Sequence, residues 1–221
     1  MTTTSLETLS NSRAPGLLDA RRQDELDPLS NVGELFDLPP NLIYLDGNSL
    51  GAMPAVVPEK IQEAVTEGWR TGLIRSWNDR DWHILPLTLG DRLAPLMGAN
   101  AGEVLVVDST SINLFKTLSA ALELRPDRTE IVSERYNFPS DLHIIQGAIT
   151  HFYPQHRLVE GKESDDSIVE LIGPSTAVVT LTQVSYRTGL IRDMERITKE
   201  AHRAGALVIW ELAHFARYPW T

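Results

Sequence analysis

The chain has 221 residues, with 42% apolar and 23% charged side chains, which suits an ordinary globular protein with a sizeable core. Its 30 acidic and 20 basic residues leave a net charge of −10. That balance argues against a general nucleic-acid binder and against a polybasic membrane anchor, since both need a basic face. The absence of cysteine excludes disulfides, thiolate nucleophiles and cysteine-ligated zinc. No apolar run approaches the ~18 residues of a membrane span. Residues 1–12 are polar and lack the apolar stretch of a secretory signal, so a cytoplasmic protein is expected.

The predicted elements begin with a helix over Leu17–Leu26. Pro39-Pro40 ends this polar leader. Leu42–Leu45 reads as a short strand stopped by the turn Asp46-Gly47-Asn48. Pro54–Trp69 reads as a helix, with its prolines confined to the first turns. A tryptophan-rich stretch follows, and helical spacing resumes over Ile84–Met97, broken by Pro86 and Pro95. Beyond Gly98 the pattern becomes regular. Strands are expected at Glu103–Val107, Thr129–Ser133, His151–Tyr153, Ala177–Thr182 and Ala206–Trp210. Helices are expected at Ser111–Leu122, Ser140–Ile149, Ser164–Ile172 and Met194–Ala204. This alternation predicts an α/β fold, a parallel sheet covered on both faces. The change of pattern near residues 68–80 suggests a segment 1–68 and a domain 69–221.

In open parallel sheets ligands sit beyond the carboxyl ends of the strands. Asp108-Ser109-Thr110-Ser111 follows the first regular strand and opens a helix. Hydroxyls and free N–H groups there suit a phosphate, and equally suit a plain N-cap. No GxxxxGK[ST] or GxGxxG motif points to a nucleotide. Tyr136-Asn137-Phe138-Pro139-Ser140-Asp141 follows the next strand. It offers a ring and an acid, or simply a turn and helix start. Val184–Gly189 reads as a loop with Gly189 in a turn. Glu211 and His214 follow the last strand. Their i,i+3 spacing alone is a weak metal signal, because no further ligands are spaced to join them. Together these strand ends suit pyridoxal phosphate, which needs a phosphate anchor, a ring stack, a carboxylate for its pyridine nitrogen and a Schiff-base lysine. The sequence offers only Lys60, Lys116, Lys162 and Lys199 for the last role.

Four segments carry a specific resemblance: Tyr44–Gly51 (YLDGNSLG), Leu73–Trp77 (LIRSW), Asn137–Asp141 (NFPSD) and Tyr186–Gly189 (YRTG). In this order they resemble the kynureninase family, over about residues 30–214. The resemblance implies a fold-type-I pyridoxal-phosphate enzyme: an incomplete α/β fold, mostly parallel sheet flanked by helices, with part of a small domain. It implies a homodimer that hydrolyses kynurenine, or 3-hydroxykynurenine, to anthranilate, or its hydroxy form, and alanine. By the same resemblance Thr110 and Ser111 would hold the cofactor phosphate. Phe138 would stack on the pyridine, with Pro139 and Ser140 shaping that wall. Asp141 would bond near the cofactor hydroxyl, and Thr182 would line the ring. Glu211 would pair with the pyridine nitrogen beside His214. Asn48, Ser49 and Trp69 would face substrate.

Two departures stand out. The family has aspartate where Glu211 stands, and the extra methylene could misplace the contact by about an ångström, a scale that can cost ~10²-fold in rate. The family's Schiff-base lysine and its substrate-carboxylate arginine fall beyond residue 221, so no catalytic residue is assigned within the chain. The isolated chain is accordingly expected to be inactive and poorly soluble. Residues 215–221 do not resemble the family. Read two bases on, codons for them can spell a closer continuation, so a small insertion or deletion near His214 is expected. A desulfurase-like relative, a non-catalytic remnant and an unrelated α/β binding protein remain alternatives.

Overall fold

The computed structural model describes residues 16–214. The readings of residues 1–12 and 215–221 lie outside them. The chain divides into two compact units, the first ending at Ser76 and the second starting at Trp77.

In the first unit, α1 (Leu17–Leu26) precedes a 3-10 turn over Ser30–Leu35. A two-residue ladder follows, β1 (Phe36–Asp37) antiparallel to β2 (Met53–Pro54). Leu42–Leu45 is not a strand: no neighbour among the described residues completes a ladder with it, and Leu45 is 90% exposed. The expected helix from Pro54 starts later, as α2 (Val57–Glu63), and widens into a π-helical stretch over Ala64–Gly72. Pro58 sits in the first turn of α2, where the missing N–H has no intrahelical partner to lose.

At the boundary stands α3 (Ser76–Asp79), and α4 (Leu85–Met97) follows in the second unit. Pro95 lies inside α4 rather than breaking it. It removes one hydrogen bond near the last turn, while Gly90 and Ala94 are buried on one face. Glu103–Val107 forms no strand and joins no sheet among the described residues. It lies along α4 instead: Val106 N–H donates to the Pro86 carbonyl at 3.1 Å. Gly90 permits this approach, since a Cβ there would stand 1.8 Å from the Val104 carbonyl oxygen. Gly90→Ala is therefore expected to destabilise the protein by about 1–3 kcal/mol or more, read as a lower urea midpoint. An unchanged midpoint would show that this backbone contact yields.

The remaining elements are α5 (Thr110–Glu123), β3 (Glu130–Glu134), α6 (Pro139–His151), β4 (Arg157–Gly161), α7 (Asp165–Val169), β5 (Thr176–Thr182), α8 (Met194–Arg203) and β6 (Leu207–Glu211). The four strands form a parallel sheet in the order β4-β3-β5-β6. His151–Tyr153 is not a strand: the Phe152 and Tyr153 N–H groups both donate to the Ala148 carbonyl and close α6, so the edge strand starts at Arg157.

Alternation along the strands covers both faces of the sheet. Ile131 and Val178 pack with Leu118 and Leu122 of α5 and Ile145 of α6. Val132, Val179 and Leu181 pack with Ile168 of α7 and Ile197 of α8. Leu114, Leu118, Ala121 and Leu122 recur at helical spacing, which is why α5 buries one stripe. Ser109, Ser164 and Asp193 cap α5, α7 and α8 through side-chain oxygens.

Candidate active site

The carboxyl side of the sheet gathers the starts of α5 and α6 with the ends of β5 and β6. At the first of these, Ser109 has extended backbone, and its Oγ accepts from Ile112 N–H at 3.5 Å. Thr110 and Ser111 are the first helical residues, so their N–H groups lack intrahelical partners. Asp108 stands in the left-handed region at φ 44°. Its carboxylate holds Lys116, so this lysine is engaged in an ion pair.

After β3 the chain turns sharply into α6. Phe138 precedes the helix, Pro139 starts it, and Asp141 lies in its first turn, acidic where the helix dipole favours an anion. Asp141 is only 2% exposed. Burial first, and then the charge of Glu211, push its carboxyl up to about 6, while a hydrogen bond from Ser140 opposes the shift. The Ser140 hydroxyl lies 3.3 Å from Asp141 Oδ1.

Glu211 ends β6, and its Oε1 accepts from Ala213 N–H at 2.5 Å. The longer side chain thus folds back on its own backbone through one oxygen, and among the described residues no hydrogen bond engages the other. His214 follows, half-buried, with Nδ1 unpartnered among the described residues. A cavity of about 280 Å³ opens between α5 and β6, lined by Thr110, Asn113, Thr117, Trp210 and Glu211 among others. The Phe138 ring meets Tyr186 edge-on, with centroids 5.1 Å apart at 71°. Among the described residues no group of three or more His, Asp or Glu could hold a metal ion.

The second unit therefore carries Thr110, Ser111, Phe138, Pro139, Ser140, Asp141, Thr182, Glu211 and His214 at strand ends or adjoining helix starts. Asn48, Ser49 and Trp69 belong to the first unit. Asn48 and Ser49 sit in a loop closed by the Tyr44 hydroxyl, which donates to the Leu50 carbonyl at 2.5 Å. Trp69 is exposed on the π-helical stretch. Tyr186 and Asn137 carried no expected role. Tyr186 is the partner of the Phe138 ring. Asn137 is buried and accepts from the Thr182 hydroxyl at 2.5 Å. Asn137 lies three residues past the end of β3, in the turn into α6, and that position beyond a parallel strand is a signal that could have singled it out. Its partner, 45 residues away, leaves no mark in the sequence.

Residues 43–214 match the aminotransferase class-V family. The chain belongs to that family. It is 47% identical over 202 residues to a kynureninase of Burkholderia pseudomallei, and 46% identical over 202 residues to one of Pseudomonas fluorescens. Each match covers 90% of this chain and 48% of the relative, so the chain spans about half the length of these curated relatives. The resemblance to kynureninase read from the motifs is borne out. Among solved structures, a C-DES mutant with glycine covalently linked to its PLP cofactor superposes with a TM-score of 0.66 at 16% identity, over 80% of this chain and 48% of that one. A cysteine desulfurase from Thermococcus onnurineus gives 0.63 at 23% identity, over 82% and 46%. At these identities the likeness concerns the fold, which is part of the fold-type-I architecture expected from the sequence.

Proposed function

We propose that this chain forms the cofactor-holding part of a kynureninase-type hydrolase. Its substrates would be kynurenine or 3-hydroxykynurenine, and its products anthranilate or 3-hydroxyanthranilate and alanine. The reading places the protein in tryptophan breakdown, working as a cytoplasmic homodimer. Among the described residues no helix is long and apolar enough to cross a membrane.

One observation carries the reading: the Asp141 carboxyl feels the charge of Glu211, and Glu211 lines a cavity together with Thr110 at the hydroxyl-rich start of α5. Burial first, and then the neighbouring Glu211 charge, raise the Asp141 pKa to about 6, and the two carboxyl groups together favour an incoming cation or proton donor. The α5 start favours an anion. A phosphorylated pyridine satisfies both demands at once, and the residues present fit pyridoxal phosphate. Thr110 and Ser111 would bind its phosphate, Phe138 would cover the ring, and Thr182 would line it. The free oxygen of Glu211 would hold the proton on the pyridine nitrogen, and Asp141 would bond at the hydroxyl edge. When bound, the cofactor supplies an electron sink for cleavage beside the substrate's α-carbon. Asn48, Ser49 and Trp69 would orient the substrate.

Titration with pyridoxal phosphate tests the proposal. Saturable quenching of tryptophan fluorescence with a shifted cofactor absorption band is expected, and no change in either overturns it. Glu211→Gln should weaken binding about 10–100-fold, the range for losing a charge-assisted hydrogen bond. It should also lower the Asp141 pKa, since a like charge is removed. Offering kynurenine or cysteine to a protein that spans the relatives' full length distinguishes the substrate classes. Anthranilate fluorescence supports the proposal, whereas persulfide from cysteine alone would favour a desulfurase.

A further inference from the structure

The ends of β3 and β5 and the turn before α6 are joined by a relay of hydrogen bonds. The Ser133 hydroxyl donates to the Thr180 carbonyl at 2.8 Å. The Asn137 amide Nδ2 donates to Ser133 Oγ at 3.2 Å. Asn137 Oδ1 accepts twice, from Phe138 N–H at 2.8 Å and from the Thr182 hydroxyl at 2.5 Å. Ser133, Asn137, Thr180 and Thr182 are all buried.

Donor and acceptor roles leave this relay one direction. A carbonyl only accepts, so the Ser133 hydroxyl must give its proton to Thr180. Its oxygen is then the acceptor for an N–H, which places the Asn137 amide nitrogen on that side. Independently, the backbone N–H of Phe138 only donates, so it must face the amide oxygen. Both constraints select the same amide orientation. The oxygen that faces Phe138 also faces Thr182, so the Thr182 hydroxyl must donate inward. Its proton is committed, and it offers a ligand only lone pairs.

We propose that Asn137 is a positioning residue that makes Thr182 an obligate hydrogen-bond acceptor and holds the turn presenting Phe138. Any group seated on Thr182 must then bring its own proton, as an O–H or N–H, and a bare anionic oxygen is rejected there. The inference rests on the pyridoxal-phosphate reading for the identity of that group, and on the relay alone for the polarity of Thr182.

The test is a double-mutant cycle with Asn137→Ala and Thr182→Val, with Thr182→Ser as the conservative variant. Two quantities are measured on each protein: the unfolding constant from urea titration, and the dissociation constant of pyridoxine 5′-phosphate, which needs no lysine adduct. Coupling of five-fold or more between the two sites in unfolding is expected, because each residue satisfies the other. In binding, each single substitution should weaken affinity about tenfold. The double variant should lose no more than either single one, and Thr182→Ser should stay near wild type. Additive binding losses, of about a hundredfold in the double variant, would overturn the positioning role. So would binding unchanged by Asn137→Ala. If the wild-type chain binds no pyridoxine phosphate, the cofactor reading fails instead. The unfolding cycle then still decides the relay, since absent coupling overturns the polarity of Thr182 and five-fold coupling upholds it.

Discussion

Arg192→Met is expected to destabilise the second unit by about 3–5 kcal/mol, the usual consequence of leaving one partner of a buried ion pair alone. Arg192 is 3% exposed, and its guanidinium holds two carboxylates. One belongs to Glu134, the last residue of β3, which is itself buried. The other is Asp165 at the start of α7, 3.0 Å away. Burial pulls the Arg192 guanidinium below its ordinary value, yet arginine keeps its charge. Glu134 Oε1 has no hydrogen-bond partner among the described residues, so this charge depends heavily on Arg192. For a domain of this size the loss corresponds to a fall of roughly 6–20 °C in the melting midpoint. Adding Glu134→Leu should recover much of it, because an apolar pair replaces the stranded charge. A midpoint that barely moves in Arg192→Met would show that water reaches Glu134. The effect bears on the site as well as the fold. Asn137 N–H donates to the Glu134 carbonyl at 3.1 Å, so the clamped strand end is where the Asn137–Asp141 turn begins.

Asp141→Asn should move stability and ligand binding in opposite directions. The native state holds a proton on Asp141 up to about pH 6, whereas the unfolded chain releases it near 3.8. Between those values the native state binds more protons, so stability falls as pH rises through this window and is level above it. At pH 7.5 the buried, ionised carboxylate then costs on the order of 3 kcal/mol relative to a neutral side chain. Asparagine removes that cost. The variant should be more stable than wild type at pH 7.5, and the difference should vanish below about pH 4. Urea midpoints at the two pH values check this, and a variant less stable at pH 7.5 would contradict it. Pyridoxal-phosphate affinity should instead drop about 10–100-fold, since a charged hydrogen-bonding group is lost. In the wild type, affinity should weaken as pH falls through 6 and Asp141 takes up its proton. A site that sacrifices stability for a ligand has this signature.

The regular part of the fold was legible because its signals are local. Apolar spacing and caps locate α5, α6 and α8 to within a few residues, and apolar runs locate β3, β5 and β6. Leu42–Leu45 and Glu103–Val107 are apolar runs of the same quality, yet neither is a strand. Being a strand depends on a neighbour that pairs, and the neighbour is not written in the run itself. The edge strand β4 was missed for the converse reason. Arg157–Gly161 is half polar, and its place is decided by pairing with β3 in register from Glu130↔Arg157.

The site divides in the same way. Position after an apolar run brought forward the segments 108–111, 136–141 and 211–214, each equally readable as a cap or turn, and the family resemblance then picked Thr110, Ser111, Phe138, Asp141 and Glu211 within them. The ordered motifs added the family. Sequence by itself thus determined the α/β class, the aminotransferase class-V membership and the residues offered at the strand ends. Only the tertiary structure decided which of these residues act on one another. Glu211 raises Asp141 across 70 residues of sequence, Arg192 clamps Glu134 across 58, and Asn137 takes the Thr182 proton across 45. Hydrogen bonds and charges act over a few ångströms, and only the folded sheet brings such distant residues within that range.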